Sequence, residues 1–180
     1  MKELSLNILD IAQNSVKAGA AHIDISLIEQ GNIRALTIED DGCGMPPEMV
    51  RAVTDPFTTT RTTRPVGMGI PLLKLAAEQA GGTFRITSRQ GKNHGTCVFA
   101  SFQIDHIDCV PVGDLALTMV TLVQGSPDID FTLDYRTREG KKELDTAAMR
   151  EILGPDVPLD APAVLSWIHE LLSGPFAPEP

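Results

Sequence analysis

Three spaced polar clusters stand in fixed order between Asp10 and Thr96, and they constrain this chain more than any other feature. The first is Asp10-x-x-x-Asn14-x-x-Lys17. The second is Glu39-Asp40-Asp41-Gly42-Cys43-Gly44-Met45-Pro46. The third is Asp55-Pro56-Phe57-Thr58-Thr59-Thr60, followed by Gly67-Met68-Gly69-Ile70. Any one of them is a weak signal. Together they must be served by one fold, and the apolar pattern between them says which elements carry them.

Leu4, Ile8, Ile11 and Ala12 recur at helical spacing, so residues 3–18 read as an amphipathic helix with Gly19 as its stop. His22 to Glu29 alternates Ile23, Ile25 and Leu27 with polar residues, a half-buried strand. Gln30-Gly31-Asn32 turns into a second strand, Ile33 to Asp40, with Leu36, Ile38 and Asp40 on one face. Pro46 and Pro47 open a short helix to about Val53. Residues 54–68 lack an apolar period, and a loop of that length is usually functional. A helix from Met68 to Ala80 follows, then strands Thr83–Arg89 and Thr96–Ile104. The order predicts an α+β fold, a two-layer α/β sandwich with helices on one face of a mixed, mainly antiparallel sheet.

Beyond residue 105 the composition shifts. Residues 1–104 hold ten Lys/Arg and ten Asp/Glu, while residues 105–180 hold five and fourteen, the whole of the net charge of −9. We therefore expect a domain over 1–104 and a small acidic C-terminal α+β unit over 105–180. In the second, Leu115–Val123 reads as a buried strand and Ile129–Tyr135 as an amphipathic strand. Glu143–Leu153 and Ala161–Leu172 read as helices, the latter with Asp160 as cap and Pro162 in its first turn. The Pro-rich tail, 174–180, is expected to fray. The acidic surface argues against nucleic acid as a partner, since phosphates are repelled. No run of 18 apolar residues occurs, which argues against a membrane span. Three cysteines without paired spacing, and no secretion signal, place the chain in a reducing cytoplasm. Four histidines without Cys/His spacing argue against a zinc site.

Asp10, Asn14 and Lys17, at i, i+4 and i+7, form one stripe of the first helix, extended by Asn7. The amide oxygen of Asn14 suits Mg²⁺, a hard cation. The Asp10 carboxylate suits a general base, and the Lys17 ammonium suits phosphate oxygens. Asp40, at a strand end on the apolar face, needs a hydrogen-bond donor there. An exocyclic amino group of adenine is one, and Gly42 and Gly44 allow the backbone to approach a flat base. Gly67 and Gly69 at a helix start suit phosphate. A solvated helix face and plain Asp-Gly and Gly-x-Gly turns are the alternative readings of the isolated clusters.

Taken together, the clusters resemble the N, G1, F and G2 boxes of the GHKL ATPases, the superfamily of gyrase, chaperone, histidine-kinase and MutL-type ATP sites. The resemblance spans about residues 1–104 and implies the Bergerat fold, ATP as ligand and Mg²⁺ as cofactor. It implies Asn14 as metal ligand and Asp10 as general base, where the family more often has Glu or His. It implies Asp40 as the adenine-reading aspartate, with Gly42, Gly44 and Met45 in its loop. Phe57 falls in the F box and Gly67, Met68, Gly69 and Ile70 in the G2 box. Arg61 and Arg64, on a short lid, either reach the phosphates or are simply solvated. Thr96, on a late strand, lies where a hydroxyl touches adenine or an ordered water. Lys17 is similar to histidine kinases, and Ala18-Gly19-Ala20 resembles MutL.

Asp10 stands nine residues from the start, so the sequence reads as lacking an upstream dimerisation helix with a phosphoacceptor His. Three functions stay open. One is transfer of the ATP γ-phosphate to a partner protein in trans. A second is an ATP-hydrolysing conformational switch. The third is a non-catalytic ATP sensor. A homodimer also stays open.

Overall fold

The computed structural model describes residues 3–55 and 68–178. Helix α1 (Leu4–Lys17) buries Leu4, Ile8, Ile11, Ala12 and Ser15 along one stripe. No side chain caps it. Its first amides, Leu4 and Ser5, instead donate to the carbonyls of Pro111 and Val112 at 2.9 and 2.8 Å. Those bonds satisfy donors that a helix start leaves orphaned. Strands β1 (His22–Gln30) and β2 (Ile33–Asp40) form a hairpin through Gly31, whose φ of +60° suits a tight turn. Helices α2 (Pro47–Thr54) and α3 (Gly69–Gln79) precede the hairpin β3 (Phe84–Arg89) and β4 (Gly95–Gln103).

After residue 105 come α4 (Leu115–Gly125), β5 (Asp130–Thr137), β6 (Gly140–Asp145), α5 (Thr146–Leu153) and α6 (Pro162–Ser173). Their strands continue the sheet. It has six strands in the order β3-β4-β2-β1-β5-β6, antiparallel except for the β1–β5 pair. Ile23, Ile25 and Leu27 of β1 stand level with Phe131, Leu133 and Tyr135 of β5. One hydrophobic core therefore crosses residue 105, with α1 packed against α3, α4 and β2. Arg34, on the apolar face of β2, is buried but satisfied. Its Nε donates to Glu29 Oε1 at 2.8 Å and its Nη1 to the Val110 carbonyl at 2.9 Å.

Four expectations change. Leu115–Val123 lies in helix α4, not a strand. Asp114 caps it by accepting from the Leu117 amide at 2.8 Å. A continuous apolar run cannot separate buried strand from buried helix by period, and this one is enclosed on several sides by α1 and α6. Glu143, Leu144 and Asp145 end strand β6. The helix expected over 143–153 starts at Thr146, where Asp145 caps it by accepting from the Ala148 amide. Ala161, not Asp160, holds the cap position of α6, with no side-chain bond. The described part of the tail is docked, not frayed: Lys141 and Ala177 exchange backbone bonds of 2.8 and 2.9 Å. Gly140 makes room for it, because a Cβ there would sit 2.0 Å from the Ala177 oxygen. Phe176 meets the Tyr135 ring edge-on at 5.2 Å.

Because one core spans the sheet, truncation of fully buried Phe131 to Ala is expected to cost about 3–5 kcal/mol. Denaturant unfolding should show one cooperative transition for both halves. Two separated transitions, with only the later one shifted, would contradict the shared core.

Candidate functional site

A cavity of about 510 Å³ opens between the C-terminal half of α1, the ends of β2 and β4, helix α2 and the start of α3. That is the size of an ordinary small-molecule site. Its walls are apolar: Ile11, Ile38, Met45, Met49, Val53, Ile70 and Val98 line it. Asn14, Lys17, Asp40 and Thr96 supply its polar groups, with Ser15 beneath. Lys17 is the one cation among the described residues of the lining.

Asp40 sits at the end of β2, where the alternation that buries Leu36 and Ile38 aims its carboxylate into the cavity. Ser15 Oγ donates to Asp40 Oδ2 at 2.5 Å, and the Gly42 amide donates to Oδ1 at 2.9 Å. Each carboxylate oxygen keeps acceptor capacity for a further donor. Ser15 was not recognised from the sequence, although a hydroxyl in the apolar stripe of α1 is the kind of break that marks a polar contact.

The loop after β2 is fixed from two sides. Cys43 donates its amide to the Ala18 carbonyl at 2.9 Å, which ties the loop to the end of α1. Met45 donates its amide to Ser88 Oγ at 2.7 Å, which ties it to β3. Gly44 has φ +71°, and a Cβ there would fall 1.8 Å from the Arg89 carbonyl oxygen. His94 Nδ1 lies 2.7 Å from the Gly42 carbonyl, so that nitrogen carries the proton. Ser88 Oγ also lies 2.8 Å from Thr96 Oγ1 and 3.2 Å from the Gly95 carbonyl. When Ser88 donates to that carbonyl, Thr96 donates to Ser88 and turns its lone pairs to the cavity. Ser88 and His94 carry no local sequence signal; only the pairing of β3 with β4 brings them to the loop.

Asn14 lines the cavity with a buried Nδ2 that has no hydrogen-bond partner. An orphaned amide facing a cavity fits a ligand-binding role, and its oxygen suits a hard cation. No group of three His, Cys, Asp or Glu able to hold a metal occurs among the described residues. Asp10 lies outside the cavity lining, against the start of α3. A Cβ on Gly69 would stand 2.2 Å from Asp10 Oδ2, so Gly69 is what admits the carboxylate. The positive end of α3 favours a negative charge at that place.

Ile70 joins the lining, whereas Met68 is 60% exposed and does not. Phe57, Arg61, Arg64 and Gly67 lie outside the described residues. The Cys97 thiol is pushed up by burial, then by Glu39 and Asp40, so it is a poor nucleophile at neutral pH. Burial would raise the Asp41 carboxyl, but the amides of His22 and Ala21, which donate to Oδ1 at 2.9 and 2.7 Å, outweigh it and hold Asp41 below its usual value.

The family model described as "Histidine kinase-, DNA gyrase B-, and HSP90-like ATPase" matches residues 2–106, more than half of the chain. Among curated proteins, a probable C4-dicarboxylate sensor kinase of Bacillus subtilis is 32% identical over 78 residues, covering 43% of this chain and 15% of that protein. The sensor histidine kinase ZraS of Escherichia coli is 28% identical over 87 residues, 47% of this chain and 18% of that protein. The chain thus spans under a fifth of the length of these relatives. Among solved structures, the Aquifex aeolicus MutL ATPase domain complexed with ADP superimposes with a TM-score of 0.55 at 14% identity. It covers 85% of this chain and 69% of that one. This likeness shows the fold, and its extent takes in strands beyond the family match.

The Asp41 bonds tie the loop to β1, so their contribution has a definite pH dependence. A carboxyl lowered by folding adds stability above its unfolded value near 3.8, and the gain fades as pH falls through the lower folded value. Asp41→Asn is therefore expected to lower the melting temperature at pH 7 and to make little difference at pH 2. Equal losses at both would remove the charge from the account.

Proposed function

The chain belongs to the histidine kinase-, DNA gyrase B- and HSP90-like ATPase family, in its histidine-kinase type, and on that premise we propose that it binds Mg-ATP and transfers the γ-phosphate to a partner protein in trans. The observation that carries the reading is Asp40. A carboxylate with two neutral donors and spare acceptor capacity faces an apolar slot, which suits the amino edge and flat faces of adenine. Thr96 adds a hydroxyl on the same floor, level with Asp40 in the β2–β4 register. Lys17 at the margin offers charge to phosphate oxygens.

Asn14 would hold the magnesium ion through its amide oxygen, and the bound metal would neutralise charge on the phosphates. Asp10, at the opening of α3, would orient the attacking group and accept its proton. In transfer, the γ-phosphorus gains a bond to the acceptor and loses its bond to the ADP oxygen. Phosphoryl transfer rests mainly on positioning and charge, so the acceptor is chosen by what docks beside the γ-phosphate. The reading sets the reaction in the cytoplasm. A reducing compartment of that kind keeps free thiols such as Cys43, Cys97 and Cys109 reduced.

A second reading, ATP hydrolysis driving a change of shape, is favoured by α1. That helix lines the cavity with one end and is bonded at the other to Pro111 and Val112, beside α4. Movement of α1 would reach the C-terminal half directly.

Incubation with γ-labelled ATP and Mg²⁺ separates the readings. Label on an added partner supports transfer, and free phosphate alone supports the switch. Binding with neither product leaves a sensor, and no binding refutes the proposal. Asp10→Ala should reduce turnover by at least about 100-fold and spare binding. Asp40→Asn should weaken ATP binding by about 10- to 100-fold. Wild-type affinity in Asp40→Asn would remove that residue from adenine recognition.

A further inference from the structure

A second cavity, of about 500 Å³, lies at the other end of α1 from the site described above. It opens between Glu3, the start of α4, strands β5 and β6, and the end of α6 with the tail that follows it. That volume is in the range of small-molecule sites. Buried Leu115, Leu133 and Leu172 line it, together with Tyr135 and Phe176, whose rings meet edge-on.

Charges of both signs reach this cavity without meeting. Lys142 belongs to the end of α6. Its Nζ donates to the Leu172 carbonyl at 2.7 Å and stands 4.6 Å from the centroid of the Phe176 ring. A cation there complements the negative end of the helix, yet the bond uses one of its three N–H donors. Glu3 and Asp114 belong to the opposite side and flank Gly113. A Cβ on Gly113 would sit 2.6 Å from Glu3 Cδ, so the glycine seats that carboxylate. Ser5 Oγ donates to Glu3 Oε1 at 3.1 Å, and the Leu117 amide donates to Asp114 Oδ1 at 2.8 Å. Each carboxylate thus keeps acceptor capacity. Among the described residues, none of Glu3, Asp114 and Lys142 forms a salt bridge. The lysine and the carboxylates therefore face one cavity from positions too far apart to neutralise each other.

We propose that this cavity binds a small zwitterion, a free α-amino acid with an apolar side chain. Its ammonium meets Glu3 and Asp114, its carboxylate meets Lys142, and its side chain lies among Leu115, Leu133 and Phe176. A simple anion would gain the lysine but face two carboxylates. A simple cation would gain the carboxylates but face the lysine. Only a molecule that carries both charges satisfies both sides. Charge-assisted bonds of this kind are the strong ones, and apolar surroundings strengthen them. ATP, a polyanion, matches this charge pattern poorly, so the inference stands apart from the ATP reading.

Titration calorimetry on the full chain with L-phenylalanine and L-leucine tests it. Phenylalanine amide, which lacks the carboxylate, and N-acetylphenylalanine, which lacks the ammonium, are the comparisons. At least one of the two amino acids should bind with a Kd of about 1 mM or tighter. Each blocked form should bind at least about tenfold more weakly than phenylalanine. Lys142→Gln and Glu3→Gln should each weaken amino-acid binding by at least about tenfold, with unchanged far-UV dichroism. The amide resonances of Gly113, Leu115 and Ala116 should shift on titration, and those of Gly42 and Gly44 should not. If a variant fails to fold, these shifts in the unaltered chain decide the matter. No saturable binding of either amino acid up to about 10 mM would overturn the proposal. So would equal binding of a blocked form, or shifts confined to the other cavity.

Discussion

The carboxylate of Asp40 is the point on which the rest of the site is arranged. A charged group at the floor of an apolar cavity stands only if donors surround it. Ser15 comes from α1 and the Gly42 amide from the turn after β2, so one side chain fixes a helix against a loop. The loop then meets β3 through Ser88 and the end of α1 through Ala18. The helix layer, the central strand and the β3–β4 hairpin are all referenced to one residue. None of the described Lys or Arg side chains forms a salt bridge with it. Its acceptor strength is left for a neutral donor, which is what an exocyclic amine offers and a phosphate does not.

Three glycines in and beside the clusters act less as hinges than as points of contact. Gly44 lies against the Arg89 carbonyl, Gly69 against Asp10, and Gly95 against the Asp40 carbonyl. Each marks where a second element comes closer than a methyl group allows. The glycine pattern in the sequence is thus a record of tertiary approach.

Much of the N-terminal half was legible because its elements face water on one side. The alternation of Ile23, Ile25 and Leu27, and of Leu36, Ile38 and Asp40, gives strands whose burial follows the expected faces. Asn14 and Asp40 are found at one cavity for the same reason: period and motif agree. The sequence was less informative where burial is all-round. In α4 the apolar run carries no period, so helix and strand look alike until α1 and α6 enclose it. Ser88 and His94 were silent because their roles come from cross-strand register and loop contact, which no local pattern encodes. Asp10 was legible as a residue but not in position, since its place against Gly69 depends on where α3 begins.

The single parallel pairing, β1 with β5, has a consequence for how the chain is made. His22 pairs level with Asp130, so more than a hundred residues separate strands that lie side by side. At a synthesis rate of about 5–20 residues per second, β1 waits roughly 5–20 s for its neighbour. During that wait the first hairpin and β4 can assemble, yet one border of β1 stays open, with its backbone donors and acceptors unpaired. A nascent chain in that condition is open to misassociation with other nascent strands. Folding is thus completed from the C-terminal side, and the cavity at the ends of β2 and β4 is finished only after a segment that supplies none of its described lining has been added.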